Sequence, residues 1–201
     1  SRYSEDIDLV QINAGAIGPV MDAIHQDLDG ILGTPKRKQA EDSVTLVYRA
    51  DSEIPPVVPL KLKVEINTRE HFSVLGYREE PFSVNSRWFS GNGKITTYSL
   101  DELLGTKLRA LYQRRKGRDL FDLWLGLTLG KANPSTVMQT FQKYIKIGGH
   151  SVSRMEFKQN LLKKMQTKSF LADTDNLLRP TITYDHQAAF RLIDERLLTL
   201  L

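Results

Sequence analysis

The stretch SRYSEDIDLV, residues 1–10, has two aspartates, Asp6 and Asp8, in a segment with the alternating pattern of a β-strand. In an extended chain successive side chains point to opposite faces, so Asp6 and Asp8 share one face while Ile7 and Leu9 share the other. Neighbouring carboxylates repel each other unless a cation lies between them. The stretch therefore predicts either a strand that contributes to a metal site or a plain exposed strand face.

Composition sets the broad class of the protein. The chain has 201 residues, of which 40% are hydrophobic and 26% charged, which is ordinary for a globular protein of one large or two small domains. There is no cysteine, which excludes disulfides, thiolate metal sites and a catalytic thiol and suits a reducing compartment. No apolar run approaches the roughly 18 residues of a membrane helix. We expect a cytoplasmic protein with no membrane association.

The first half of the chain alternates a helical pattern with strand patterns. Apolar residues recur at helical spacing from Ile17 to Leu32, and the pattern stops at Gly33. The segments SVTLVYRA (43–50) and PLKLKVEINTRE (59–70) are typical of strands. Two further strands are expected around 86–89 and 94–98, with SGNG (90–93) as the hairpin turn between them.

The second half has helical patterns nearly to the C-terminus. Ser99 is a candidate N-cap for a helix with an apolar stripe that starts at Leu100 and continues to Leu111. We therefore predict an α+β fold with a strand-rich domain over residues 1–98 and a helical domain over residues 99–201.

A third carboxylate lies in the middle of the long predicted strand. Lys63, Glu65 and Asn67 share one face of that strand, and Val64 and Ile66 share the other. Glu65 is either part of an ordinary polar face or, if the strand neighbours Asp6 and Asp8, the third carboxylate of a magnesium site.

The segment KLRALYQRRKGRDLFDL, residues 107–123, concentrates basic residues that attract phosphates. Lys107 falls on the stripe that the helix should bury, where it either extends its amine to solvent or reaches a nucleotide phosphate. Asp119 and Asp122 share one helical face, and Asp119 suits a helix N-terminus. Arg115 or Arg118 could pair with a nearby acid.

Three separated motifs carry a resemblance to a known family. RYSEDIDL (2–9), KLKVEIN (61–67) and EL…KLRAL…RRKGRDLFDLW (102–124) occur in the order found in AbiEii/AbiGii-type toxin nucleotidyltransferases. The chain resembles this family from Arg2 to about Leu127. The family has the DNA-polymerase-β-like nucleotidyltransferase fold, which implies a mixed sheet with flanking helices followed by a C-terminal helical bundle.

The resemblance also implies an activity, a cofactor and partners. It implies Mg²⁺-dependent transfer of a nucleoside monophosphate from an NTP to tRNA, another RNA or a protein, in a toxin that has a cognate antitoxin. The implied metal ligands of a two-metal site are Asp6, Asp8 and Glu65. The resemblance implies further catalytic residues, Lys107 and Asp119. The implied substrate-binding residues are Ser4, Lys63, Arg114, Arg118 and Asp122.

One family feature is missing from the sequence, and other functions stay open. Family members carry a Gly-Gly or Gly-Ser turn roughly ten residues before the first aspartate, and this chain begins too late to contain it. We expect either a fragment of a longer protein or a truncated protein without full activity. The alternatives are an inactive relative that binds RNA or an antitoxin, a small-molecule nucleotidyltransferase, and a metal nuclease. The nuclease fits less well, because its site uses Glu-x-Lys and the strand here has Lys-x-Glu.

Overall fold

The computed structural model describes Tyr3, residues 6–86 and residues 89–201. These residues divide into two compact units, Tyr3–Phe72 and Ser73–Leu201, which we call the N-terminal unit and the C-terminal unit. The predicted boundary after Tyr98 differs from this division, because the β-hairpin before Tyr98 groups with the helices. The loop that leads into the hairpin is hydrogen-bonded to the first helix of the C-terminal unit, as described below.

The N-terminal unit is a four-stranded mixed sheet with one helix. In chain order its elements are β1 (Asp6–Val10), α1 (Gly18–Leu32), β2 (Lys36–Gln39), β3 (Ser43–Asp51) and β4 (Pro59–Asn67). The strands lie in the order β1-β4-β3-β2. Strand β1 is parallel to β4, and the other two pairs are antiparallel. The predicted α+β class with a mixed sheet is confirmed.

Helix α1 packs on one face of this sheet. Buried side chains alternate along β3 and β4, as expected for strands with one face in the core. The core of this unit consists of Met21, Val44, Leu46, Tyr48, Val64 and Ile66. The intervening strand residues, including Lys63 and Glu65, therefore point to the opposite face.

The C-terminal unit begins with an antiparallel hairpin, β5 (Tyr77–Asn85) and β6 (Ser90–Tyr98). The prediction that SGNG forms the turn is wrong, since residues 90–93 belong to β6, which begins at Ser90. The Ser86 N–H donates to the Phe89 carbonyl at 2.9 Å, and residues 87–88 lie outside the described part. Gly91 lies under the Phe89 ring, which a Cβ would approach to 2.8 Å. The glycine thus serves close packing rather than a turn.

Six helices complete the C-terminal unit: α2 (Leu100–Gln113), α3 (Gly117–Thr128), α4 (Pro134–Ile147), α5 (Arg154–Met165), α6 (Lys168–Leu171) and α7 (His186–Arg196). They share one apolar core, with fully buried residues such as Leu108, Leu120, Phe157, Phe170 and Ile193. Ser99 accepts a hydrogen bond from the Glu102 N–H, which confirms the predicted N-cap. No helix within the described ranges is long and apolar enough to cross a lipid bilayer.

Candidate active site

The register between β1 and β4 brings the strand carboxylates together. Asp8 is the ladder partner of Glu65, and Asp6 is the partner of Lys63. Paired residues on neighbouring strands point to the same side of a sheet, with strands about 4.8 Å apart. We call this side, opposite to α1, the carboxylate face. The adjacency of β1 and β4 on which the sequence-based hypothesis depended is present.

Lys63 supplies a cation to the carboxylate face. Its Nζ lies 2.8 Å from Glu65 Oε2 and 3.4 Å from Asp6 Oδ2. The hydrogen bond to Glu65, more than the opposing effect of partial burial, raises the pKa of Lys63 above its usual value. Asp8 is exposed and has no ion-pair partner among the described residues. One ammonium of the protein thus contacts two of the three carboxylates and partly offsets their charge.

The donor set of this face has the chemistry that Mg²⁺ prefers. Three carboxylates provide hard oxygen donors on two adjacent strands, and Lys63 marks where a cation is held between two of them. As the side chains stand, no group of three or more His, Cys, Asp or Glu residues in the described part of the chain is arranged to hold a metal ion. A metal that used these oxygens would need the Lys63 amine to move aside.

A patch of further cations lies on the same side of the sheet. Lys36 and Lys38 extend the rows of Lys63 and Glu65 across β3 to the edge strand β2. Arg49 and Lys61 pair with each other in the next row. We call Lys36, Lys38, Arg49 and Lys61 the cationic patch. All four are exposed, and none has a carboxylate partner in the ranges that the structure covers.

Sequence reasoning missed this patch because it did not identify β2. The four residues of β2, KRKQ, are all exposed and lack the apolar alternation that indicates a strand. The basic run directly after the Gly-Thr-Pro break was the available signal.

Lys107, Arg114, Asp119 and Asp122 form a separate ion-pair network in the C-terminal unit. Asp119 is fully buried and accepts two hydrogen bonds of 2.8 Å from the Arg114 guanidinium. Lys107 Nζ lies 3.1 Å from Asp122 Oδ2 and 3.6 Å from Asp119 Oδ1. The structure thus brings together four of the predicted site residues, and it gives each of them a partner within the protein.

Arg118 and its neighbours are held by a different acid. The Arg118 N–H donates to Asp173 Oδ2 at 3.1 Å, at the start of α3, and Lys116 Nζ lies 3.8 Å from Asp173 Oδ1. Gly117 is packed so closely that a Cβ would lie 2.0 Å from the Phe170 carbonyl oxygen. Ser4, the remaining predicted substrate-binding residue, lies outside the described residues.

Glu102 is a buried charged residue whose partners the sequence did not reveal. Its carboxylate accepts hydrogen bonds from Ser73 Oγ, the Val74 and Leu75 N–H groups and Tyr144 Oη, at 2.7 to 2.9 Å. Ser99-x-x-Glu102 has the spacing of a capping box. Instead, the side chain fastens the loop before the hairpin to α2 and α4.

Comparison with known proteins agrees with these features. Residues 1–192 match the family described as "Nucleotidyl transferase AbiEii toxin, Type IV TA system". The chain belongs to the AbiEii family. The resemblance drawn from the three motifs is confirmed, and the family match extends well beyond the segment that carried it.

One solved structure supports the fold of this AbiEii family member. A crystal structure of a protein from H. pylori, described as a candidate nucleotidyltransferase, aligns with a TM-score of 0.50 and 18% identity. The alignment covers 100% of this chain and 82% of that one. No curated protein matches the chain significantly. The AbiEii match thus supports the class of transferase, and the structural match supports the nucleotidyltransferase fold.

Proposed function

We propose that this AbiEii family member transfers a nucleoside monophosphate from an NTP to an RNA acceptor, with Mg²⁺ held by Asp6, Asp8 and Glu65. The observation that carries the proposal is the pairing of Asp8 with Glu65 on parallel neighbouring strands, with Asp6 beside them. The family gives these carboxylates a chemical context, since nucleotidyl transfer needs a divalent cation beside the reacting phosphate.

In the proposed reaction an acceptor hydroxyl oxygen forms a bond to the α-phosphorus while the bond to pyrophosphate breaks. Asp6, Asp8 and Glu65 would hold the Mg²⁺, which would supply a lower pKa of that hydroxyl and neutralisation of charge on the leaving oxygens. Asp8 and Glu65 flank the attacking oxygen, and one of these carboxylates takes its proton. Asp8 suits this role because it is exposed and faces Glu65 across the ladder between β1 and β4.

The cationic patch favours RNA over a protein as the acceptor. Four exposed cations without described acidic partners lie on the carboxylate face, two on β2 and two in the row next to Lys63. Such a surface attracts a phosphate backbone. A cytoplasmic location and a cognate antitoxin are part of the proposal, because NTPs and RNA are found in the cytoplasm and the family is that of toxin–antitoxin toxins.

The test is a labelling assay with each α-labelled NTP, total cellular RNA and Mg²⁺. We expect labelled RNA with the wild type, and loss of labelling with Asp8→Asn or with a chelator. Asp51→Asn is the matched control, since Asp51 lies on the same side of the sheet at the far end of β3, opposite Pro59. Full labelling by folded Asp8→Asn protein would overturn the mechanism. If the wild type and the variants bind RNA but none of them labels it, the result would instead favour an inactive binding module.

A further inference from the structure

Lys63 occupies the position between two of the proposed metal ligands. Its ammonium lies within 3.4 Å of oxygen atoms of both Asp6 and Glu65. A divalent cation that used the same two oxygens would leave no room for this ammonium and would repel it. The contacts of Lys63 and those of a metal are therefore mutually exclusive.

The neighbouring lysine shows that the position of Lys63 is specific. Lys61 lies two residues earlier on the same side of β4, but it is exposed and opposes Arg49 rather than an acid. Lys63, in contrast, opposes Asp6 on one neighbouring strand and precedes Glu65 on its own strand. Only Lys63 of this pair can compensate the carboxylates when no metal is bound.

We infer that Lys63 is an internal counter-ion that competes with Mg²⁺ for Asp6 and Glu65, so that it sets the metal affinity of the site. This inference rests on the proposed function. Without metal the ammonium relieves the repulsion among the carboxylates. When metal binds, the amine swings away on its flexible stem and becomes available to an anion on the same face, for which a triphosphate oxygen has the matching charge.

The competition can be measured without any turnover. Mg²⁺ is titrated calorimetrically into metal-free wild type, Lys63→Met and Lys63→Gln, with Lys61→Met as the control that removes the same charge from the same strand. We expect both Lys63 variants to bind Mg²⁺ roughly five- to tenfold more tightly, which is the scale of breaking two partly exposed ion-pair contacts. Lys61→Met should change the affinity less than twofold. In chelator, the Lys63 variants should melt at a lower temperature than wild type.

The outcomes separate this inference from the proposed function. Equal or weaker Mg²⁺ binding by the Lys63 variants, with the wild type binding normally, would overturn the competition and leave the metal site in place. Tighter binding by Lys61→Met to the same extent would also overturn it, because a general charge effect would then suffice. Absence of Mg²⁺ binding in every protein would overturn the metal site and the inference together.

Discussion

Arg114 closes on Asp119 through two parallel hydrogen bonds, with Nε donating to Oδ2 and Nη2 donating to Oδ1, each at 2.8 Å. The Asp119 side chain is fully buried, whereas the Arg114 side chain is half exposed. Such a fork-to-fork pair is both strong and geometrically specific. In this structure Arg114 therefore stabilises the connection between α2 and α3, and its guanidinium is engaged by Asp119 rather than available to a substrate.

We predict that Arg114→Met lowers the free energy of unfolding by about 2 kcal/mol, because it removes both short hydrogen bonds from the buried Asp119 carboxylate and leaves Lys107, at 3.6 Å, as its ion-pair partner among the described residues. Arg115→Met is the control, since Arg115 is exposed and has no ion-pair partner among the described residues. It should change stability by less than about 0.5 kcal/mol. Urea denaturation measures both, and equal effects of the two substitutions would contradict a structural role for Arg114.

Glu102 and Glu156 occupy equivalent helix positions but differ in what they bind. Each is the third residue after a serine N-cap, yet only Glu156 completes a capping box, with Ser153. Glu102→Gln should cost roughly 2 to 3 kcal/mol, because an amide group would place donors against buried donors. Glu156→Gln should cost less than about 1 kcal/mol. Thermal unfolding of the two variants measures these costs in stability. A larger loss of stability in Glu156→Gln than in Glu102→Gln would contradict the prediction.

These contrasts show where sequence patterns suffice. The alternation in β1 and β4 predicted which carboxylates share a face, and the Ser99 N-cap was predicted correctly, because both depend on local geometry. The motif around Asp119 was identified, but its side-chain partners were not, since an ion pair depends on rotamers and on the close approach of Gly117 to α6.

Features fixed by distant parts of the chain were not predictable. Glu102 binds residues 27 to 42 positions away in sequence. Lys164 is buried and donates to the carbonyls of Leu111 and Tyr112 at the end of α2, 53 and 52 positions away in sequence. Strand β2 forms because it pairs with β3, and its own composition does not favour a strand.

Lys164 predicts a pH dependence of stability. Burial lowers its pKa to about 8, against a smaller raising effect of Asp119 and together with a lowering effect of Arg115. Between about pH 8 and the usual value of 10.5 the unfolded state binds more protons at this site, so stability should rise with pH in that window. Below pH 8 the burial penalty is fully present and constant.

The measurement is the difference in unfolding free energy between wild type and Lys164→Met at pH 7 to 9.5. Subtraction removes the contribution of other titrating groups. The wild type should gain stability relative to Lys164→Met as the pH rises. A difference that stays constant, or that falls with rising pH, would contradict a lowered pKa of Lys164.

Gly117→Ala should destabilise the C-terminal unit, by about 2 kcal/mol or more. The new Cβ would lie 2.0 Å from the Phe170 carbonyl oxygen, which is backbone and can move only with α6. Gly30→Ala is the control within a helix, because a Cβ there meets no atom within 4 Å. It should stabilise by roughly 0.5 to 1 kcal/mol. Calorimetric melting of both variants checks the prediction, and two shifts of the same sign would refute it.

The cationic patch predicts how RNA binding depends on salt. The double reversal Lys36→Glu/Lys38→Glu should weaken binding of total tRNA at least tenfold at low salt, because it replaces two phosphate-attracting charges. The row of Lys36 leads to Lys63 and Asp6, and the row of Lys38 leads to Glu65 and Asp8. Each lost phosphate contact should also make the slope of log K against log salt shallower by about 0.7 to 0.9.

A control with the same net charge distinguishes this patch from general electrostatics. Lys143→Glu/Lys146→Glu makes the same charge change on exposed positions of α4. If the acceptor binds across the carboxylate face, the α4 variant should keep nearly the wild-type slope, and only the β2 variant should show a shallower one. Equal loss of affinity and slope in the two variants would mean that net charge alone governs RNA binding. The basic segment of α2 and α3 would then be the next surface to test, starting with Arg115 and Arg118, for which the described residues provide no ion-pair partner.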